Sequence, residues 1–423
     1  PRMAEDDKNR QDIEEILNTA VNLLDLRTPY TEEFYAGIKA ARDYLKKALY
    51  EEHAGYSDVI ATCIGHTHID VAWWWTVAQT REKVARSFAT VLKLMEEYPE
   101  YKFMSSQPQL YVFLKERYPE IYEKIKEKVK EGVWEPEGGM WLEADCNLTS
   151  GESLVRQFIH GKKFFKEEFG VDNKVLWLPD VFGYSGSLPQ IMKRSGIKYF
   201  MTTKLAWNQF NKIPNDTFIW RGIDGSEIFT HMITTLGIGQ PVVNFFTTYN
   251  GELHPDALMG GWERYQNKRI NNDILISYGF GDGGGGPTRE MLETARRMEK
   301  GVKGIPKVRR EFAGKYFEEL EAKVKDNKRL ETWEGELYFE YHRGTYTSMA
   351  RNKRSNRKSE LGLMDLEFFS VLADKKLAYP VKELDEMWKT VLLNQFHDIL
   401  PGSSIKEVYE VTKEEYDRIA ENL

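Results

Sequence analysis

Residues 58–75, DVIATCIGHTHIDVAWWW, begin as an apolar, β-branched run of strand length and then offer His66, His68 and Asp70 at alternate positions. In an extended chain residues two apart point to one face, so these three side chains are expected to share a side. Two imidazoles and a carboxylate leaving the end of a buried strand suit a divalent ion of borderline softness, zinc first. An HxH pair taken alone is as often two core or surface histidines, so the reading draws its weight from residues further along. Trp73, Trp74 and Trp75 follow at once. Three consecutive indoles cannot all be buried on one face, and at least one is expected to line a cleft, where a flat apolar surface suits the C–H face of a sugar ring.

On either side of this stretch the pattern changes. Upstream, Ile13, Ile16, Leu17, Ala20 and Leu24 recur at helical spacing, and Phe34, Ile38, Leu45 and Leu49 describe a second helix, so residues 8–52 read as a helical lead-in. Downstream, short apolar runs alternate with amphipathic helices, with strands expected near 58–65, 101–105, 133–138, 174–179, 199–203, 227–233 and 273–278, and an eighth near 307–312. Strict alternation means parallel βα units, and that many of them make a closed or nearly closed barrel. Asp224 and Gly225 mark a hairpin inserted into the alternation. From about residue 345 the strands cease. Leu361, Met364, Leu366, Phe368, Phe369, Leu384, Trp388, Val391 and Leu392 then describe helices expected to pack together or against the barrel.

Active sites of such barrels gather where strands end. The run KVLWLPD ends in Asp180, which reads as nucleophile, metal ligand or helix cap, the cap being the commoner use of Asp there. DILISYGFGD runs into Asp282 and then GGGGPT, and four glycines let a backbone approach a ligand closely. Gly279, Gly281 and Gly284 also fit GxGxxG, a dinucleotide signature, but a carboxylate inside the cradle would repel a pyrophosphate. Near the end, LLNQFHDILPGSS places His397 and Asp398 after an amphipathic helix, either as a histidine favoured by the helix dipole or as a ligand delivered to the barrel mouth. WEPEGGMWLEADCN at 134–147 and ELYFEYHRGTYTS at 336–348 mix carboxylates with aromatic rings, as sugar clefts and ordinary charged loops both do.

The whole composition is that of a folded chain, not a disordered one. The 423 residues are 41% apolar and 13% aromatic, enough for two or three domains. The net charge of −7 is spread through the chain, leaving no basic footprint for nucleic acid. Cys63 and Cys146 alone exclude a cysteine-rich zinc finger or a disulfide scaffold, and suit a reducing, cytoplasmic setting. No apolar run is long enough to span a membrane. Pro1 and Arg2 ahead of Met3 read as an added end, so native flanking sequence is expected to be missing. Homo-oligomerisation is left open.

The motifs GHTHIDVAW at 65–73, WLPDVFGYSGSLPQ at 177–190, GDGGGGPT at 281–288, ELYFEYHRGTYTS at 336–348 and NQFHDILPGSS at 394–404 together resemble the glycoside hydrolase family 38 α-mannosidases, especially their cytosolic and bacterial branch. That resemblance implies an α/β fold with a seven-stranded β/α barrel followed by an α-helical bundle. The division expected is a lead-in at 1–57, a catalytic barrel at 58–335 and a helical domain at 336–423 that completes the active site. It implies one Zn²⁺, or another divalent cation, held by His68, Asp70, Asp180 and His397, with His66 supporting the site without ligating. It makes Asp180 the nucleophile and Asp282 the general acid and base, although this glycine-rich loop differs from that of Golgi and lysosomal relatives. Trp73 and Phe182 are expected to flank the sugar, and His342 and Arg343 to bind substrate. The reaction implied is retaining hydrolysis of terminal α-D-mannosyl residues of glycans, for which Asp180 must stay ionised and Asp282 protonated. Two other readings fit the residue types: a metal-dependent amide or ester hydrolase similar to carbohydrate deacetylases, and a sugar-binding fragment without turnover.

Overall fold

The opening stretch becomes β1, Ile60–His66, the central strand of one of two five-stranded sheets. In this computed structural model residues 8–52, 57–237, 246–302, 304–373 and 378–423 are described, and Pro1 and Arg2 lie outside them. β1 is buried from Ala61 onward because both its faces are covered: Ala61 and Cys63 pack into the larger core and Ile64 into a second one. The remaining strands are β2 Phe103–Ser105, β3 Trp134–Pro136, β4 Val175–Trp177, β5 Tyr199–Thr202, β6 Thr217–Arg221, β7 Glu227–Met232, β8 Asp273–Tyr278, β9 Lys307–Arg310 and β10 Thr332–Glu334.

The first sheet runs β3-β2-β1-β8, with β9 also on β1, and all its pairings are parallel. The second runs β10-β6-β7-β5-β4, parallel except for the β6–β7 hairpin, whose turn holds Asp224 and Gly225 as expected. The eight anticipated strands all form, but their ladders do not join into a single closed ring. At one seam the one main-chain bond among the described residues is Trp177 N–H on Gly138 O, at 3.5 Å. At the other, residues 248–251 intervene, with Thr248 N–H on Thr235 O at 2.7 Å and Gly251 N–H on Ser277 O at 3.0 Å. The two sheets nonetheless share an interior. Ile64, Met104 and Leu275 of the first meet Trp177, Met201 and Phe229 of the second, with Phe317 and Leu320 of helix Ala313–Val324 beside them.

Beyond the sheets, helices Ala350–Leu372, Val381–Asn394 and Lys406–Asn422 contribute Leu363, Leu384, Trp388, Val391, Tyr416 and Ile419 to a small separate core. One expectation fails here. Leu361, Met364, Phe368 and Phe369 are exposed, because the buried face of the first helix is instead the polar row Asn352, Asn356, Ser359 and Glu360, ending in Leu363. Glu360 accepts from Ser150 N, Ser153 Oγ and Gln395 Nε2, at 3.0, 2.8 and 3.0 Å, which ties this helix to the sheet-bearing part and to the segment that carries His397. A buried face made of polar residues leaves no apolar stripe to read.

Candidate metal centre and active site

His68, Asp70, Asp180 and His397, all buried, bring one ligand atom each within 4.8 Å of one another. β1 ends at His66, and the chain past it is pinned by Thr67 Oγ1 on Phe280 O (2.8 Å) and by Asp70 N–H on Asp282 O (2.8 Å). The period of two therefore stops at the strand end, and His66 does not join its neighbours. Its Nδ1 lies 2.9 Å from Met104 O, its ring stands edge-on to Trp177, and burial lowers its pKa to about 4.

Asp180 comes from the chain after β4, where Leu178 N–H bonds Met201 O. It caps nothing, since the next helix begins only at Leu188. His397 comes after helix Val381–Asn394 has ended, delivered by an antiparallel bridge of Ala144 with Phe396. His68 Nε2 lies 2.9 Å from Asp70 Oδ1 and 3.9 Å from Asp180 Oδ2, and His397 Nε2 lies 3.4 Å from both oxygens. Donors about 2.0–2.2 Å from a tetrahedral ion sit about 3.3–3.6 Å apart, so these separations bracket the requirement.

Two further observations show that the residues fit a cation. His397 Nε2 is buried, aimed at two carboxylates, and has no hydrogen-bond partner among the described residues. The group also demands positive charge. Burial opposes protonation of His397, yet Asp180 and Asp70 outweigh it and raise its pKa to about 10; His68 is raised likewise against burial, by Glu143 and Asp70. Imidazoles this basic are what buried carboxylates produce when protons must supply the charge that a metal would supply.

The two carboxyls with expected catalytic roles are pushed in opposite directions. Burial works against ionisation of Asp180, but Lys204, whose Nζ is 2.5 Å from Oδ1, and His397 outweigh it and hold the carboxyl far below its usual range. Asp282 is raised by burial and by the negative charges of Asp70 and Asp180. It is half-buried at φ 57°, and its Oδ1 accepts from Asn250 Nδ2 at 2.8 Å and Tyr249 OH at 3.2 Å. The glycines make that loop possible. A Cβ on Gly279 (φ 133°) would lie 2.1 Å from His66 O, and one on Gly284 (φ 85°) 2.3 Å from Ser87 Oγ.

Phe182 stands edge-on to His342 at 4.7 Å and to His397 at 5.7 Å, forming a wall beside the donors. His342 is half-buried, and burial together with the charge of Lys204 lowers its pKa to about 4. Trp73 is half-buried, stacked on the exposed Trp74, and its carbonyl accepts Ile405 N–H at 2.8 Å. Arg343 is exposed in the turn Arg343–Tyr346 and bonds to none of these groups among the described residues.

Lys204, Tyr249, Asn250 and Glu143 were not singled out from the sequence. Lys204 directly follows the β5 run in TTKLAW, so the rule that strand-end polar residues gather at the site would have found it. Glu143 lies in the cluster at 134–147, whose other acids do different work: Glu135 accepts Ala313 N–H and Gly314 N–H, and Glu137 accepts Lys174 N–H and Val175 N–H.

Comparison with known proteins places this geometry in a family. Residues 58–336 match the glycosyl hydrolases family 38 N-terminal domain and residues 340–423 the alpha mannosidase middle domain. The chain is 44% identical over 368 residues to alpha-mannosidase G of Dictyostelium discoideum, covering 86% of this chain and 32% of that protein. It is 39% identical over 415 residues to alpha-mannosidase 2C1 of Homo sapiens, covering 97% of this chain and 38% of that protein. The chain thus spans about one third of the length of the curated relatives it matches. An alpha-mannosidase from Enterococcus faecalis V583 shares the fold with a TM-score of 0.72 at 21% identity, over 86% of this chain and 41% of that one. With its N-terminal and middle regions both matched in order, the chain belongs to the glycosyl hydrolases of family 38.

Proposed function

We propose that this chain catalyses metal-dependent, retaining hydrolysis of terminal α-D-mannosyl residues of glycans. The observation that carries the reading is the opposite treatment of Asp180 and Asp282 around one donor set: the first is held ionised and the second is pushed toward its acid form. His68, Asp70, Asp180 and His397 would hold one divalent ion, for which the mixed nitrogen and oxygen donors favour zinc. When bound, that ion supplies a Lewis-acidic anchor for sugar hydroxyls.

The chain's own residues do the rest. Phe182 and Trp73 flank the ring, with His342 beside Phe182 and Arg343 at the outer edge of the cleft. Asp180, turned by Lys204, attacks the anomeric carbon while the Asp282 carboxyl gives its proton to the leaving oxygen, so the glycosidic bond breaks as an aspartyl ester forms. Asp282, now a carboxylate, takes a proton from water; that water displaces the ester and frees mannose with its configuration retained.

The matched ranges support a division into a lead-in at 1–57, a catalytic part at 58–335 and a helical bundle at 336–423 that supplies His397. The interior shared by the two sheets supports reading them as halves of one barrel. Cys63 and Cys146, both buried and unpaired, fit a cytoplasmic setting. Among the described residues no helix is long and apolar enough to cross a membrane.

The test is Asp180→Ala assayed on an aryl α-mannoside, with a fluorinated mannoside used to trap the ester on wild-type chain. Loss of turnover by about 10⁴-fold or more, and a mannosyl adduct on Asp180 by mass spectrometry, are expected. Undiminished turnover removes the nucleophile. Turnover without an adduct points to water attack, as in an amide or ester hydrolase, and sugar binding without turnover leaves a binding fragment.

A further inference from the structure

We propose that Glu143 is the positioning residue for both histidines of the donor set, its side chain orienting His68 and its main-chain carbonyl orienting His397. The inference rests on the metal-binding reading above. Glu143 is 1% exposed, in the segment that follows β3. Its Oε2 lies 3.1 Å from His68 Nδ1, and neither atom has any hydrogen-bond partner among the described residues, so each is the other's natural match. Its carbonyl oxygen is 2.8 Å from His397 Nδ1, and it also accepts His397 N–H at 3.2 Å.

The chemistry of the two contacts leads to one outcome. A carbonyl can only accept, so the proton of neutral His397 sits on Nδ1 and the lone pair on Nε2. A carboxylate does the same for His68 and also raises the basicity of its ring. With both rings neutral, as a bound cation requires, the two Nε2 lone pairs are thereby turned toward Asp70 and Asp180. Glu143 is itself fixed, with Ser106 Oγ donating to Oε1 at 3.0 Å and its own N–H donating to Gln107 Oε1 at 3.2 Å. Gln107 Nε2 then donates to Ile69 O, between two of the ligands, at 3.0 Å. One residue therefore sets the spacing between the sheet-borne histidine and the one brought by the helical region.

Because His397 is held by main chain, side-chain substitution at Glu143 isolates the His68 half. Zn²⁺ affinity is measured on the full chain by competition with a chromophoric chelator, beside the melting temperature of the chelated protein and the visible spectrum of the Co²⁺ form. Glu143→Gln, nearly the same shape without the charge, is expected to bind Zn²⁺ about 10- to 100-fold more weakly. Its chelated form should still melt cooperatively, and its Co²⁺ spectrum should be altered. Wild-type affinity in Glu143→Gln overturns the proposal, whatever its stability. Failure of the wild-type chain to bind Zn²⁺ overturns the metal reading and this inference with it. Should Glu143→Gln not fold, Ser106→Ala, which frees only Oε1, is titrated instead: a several-fold loss of affinity supports the role of Glu143, and unchanged affinity overturns it.

Discussion

His68, Asp70, Asp180 and His397 are each no more than 5% exposed and each is clasped by fixed neighbours, whereas Asp282 is half-buried on a glycine-rich loop with a left-handed backbone at φ 57°. The first group is held from several directions at once: strand ends, the Lys204 ion pair, and the carbonyl of Glu143. Asp282 is held through one carboxylate oxygen, by Asn250 and Tyr249. The difference matches the roles proposed for each. Groups that hold an ion and take up no proton from solvent are best buried among fixed partners, while a group that exchanges a proton with solvent in every cycle needs a way out.

Substituting one residue on each side separates the two designs. Asp70→Ala removes a donor, and is expected to lower Zn²⁺ affinity by more than about 100-fold and turnover by about 10⁴-fold. Asp282→Asn should leave Zn²⁺ affinity within about twofold and lower kcat/KM about 10²- to 10⁴-fold on glycans with poor leaving groups, far less on aryl mannosides whose leaving oxygen needs no proton. Chelator competition and paired rate measurements on both substrates check this. Equal loss of metal in Asp282→Asn would erase the distinction.

Removing the metal sharpens the contrast along the pH axis. In the metal-free chain the raised pKa of His397, about 10 against an ordinary 6.5, means the folded state holds a proton that the unfolded state has lost. That contribution to stability is fully present below pH about 6.5 and is lost as pH rises through about 10. With metal bound, the lone pair is occupied and stability is lost on the acid side instead, where protons compete with the ion. Melting curves with and without chelator should cross, the chelated chain losing several degrees between pH 7 and pH 10 that the loaded chain keeps. Parallel profiles would contradict the charge demand placed on the donor set.

Only the family resemblance joined the four donors and set aside the helix cap for Asp180 and the dipole histidine for His397; the residues alone marked each as a candidate, because each sits beside a strong local signal: an apolar strand for His68 and Asp70, Pro179 for Asp180, and a helix followed by Pro401 and Gly402 for His397. The strand–helix alternation was legible for the same reason, since buried parallel strands are apolar runs. What escaped had no local period. Glu143 and His397 are 254 residues apart, and Glu143 matters through its carbonyl as much as its side chain, which no residue pattern encodes. The helix Ala350–Leu372 misled because its buried face is polar and its apolar residues Phe368 and Phe369 face outward. Closure of the main-chain ladders could not be read from the alternation, because residues 248–251 intervene at one seam and a single long main-chain hydrogen bond among the described residues spans the other.

The smallest change proposed here acts on the proton of Asp282 alone. Asn250 Nδ2 donates to Asp282 Oδ1 at 2.8 Å, and a donor on a carboxylate oxygen favours the charged form, so this contact works against the burial that raises the pKa of Asp282. Asn250→Ala removes it, and the pKa of Asp282 is expected to rise further. A hydrogen bond worth about 0.5–1.5 kcal/mol corresponds to about 0.5–1 pH unit. The alkaline limb of kcat/KM, where the general acid loses its proton, should move up by that amount while Zn²⁺ affinity stays unchanged. A limb that stays in place would mean that Tyr249, whose hydroxyl is 3.2 Å from the same oxygen, sets the acidity by itself. A limb that moves down would mean the exposed side of the site is ordered by solvent entering beside Asp282 rather than by these two donors, because water replacing Asn250 solvates the carboxylate better than an amide does.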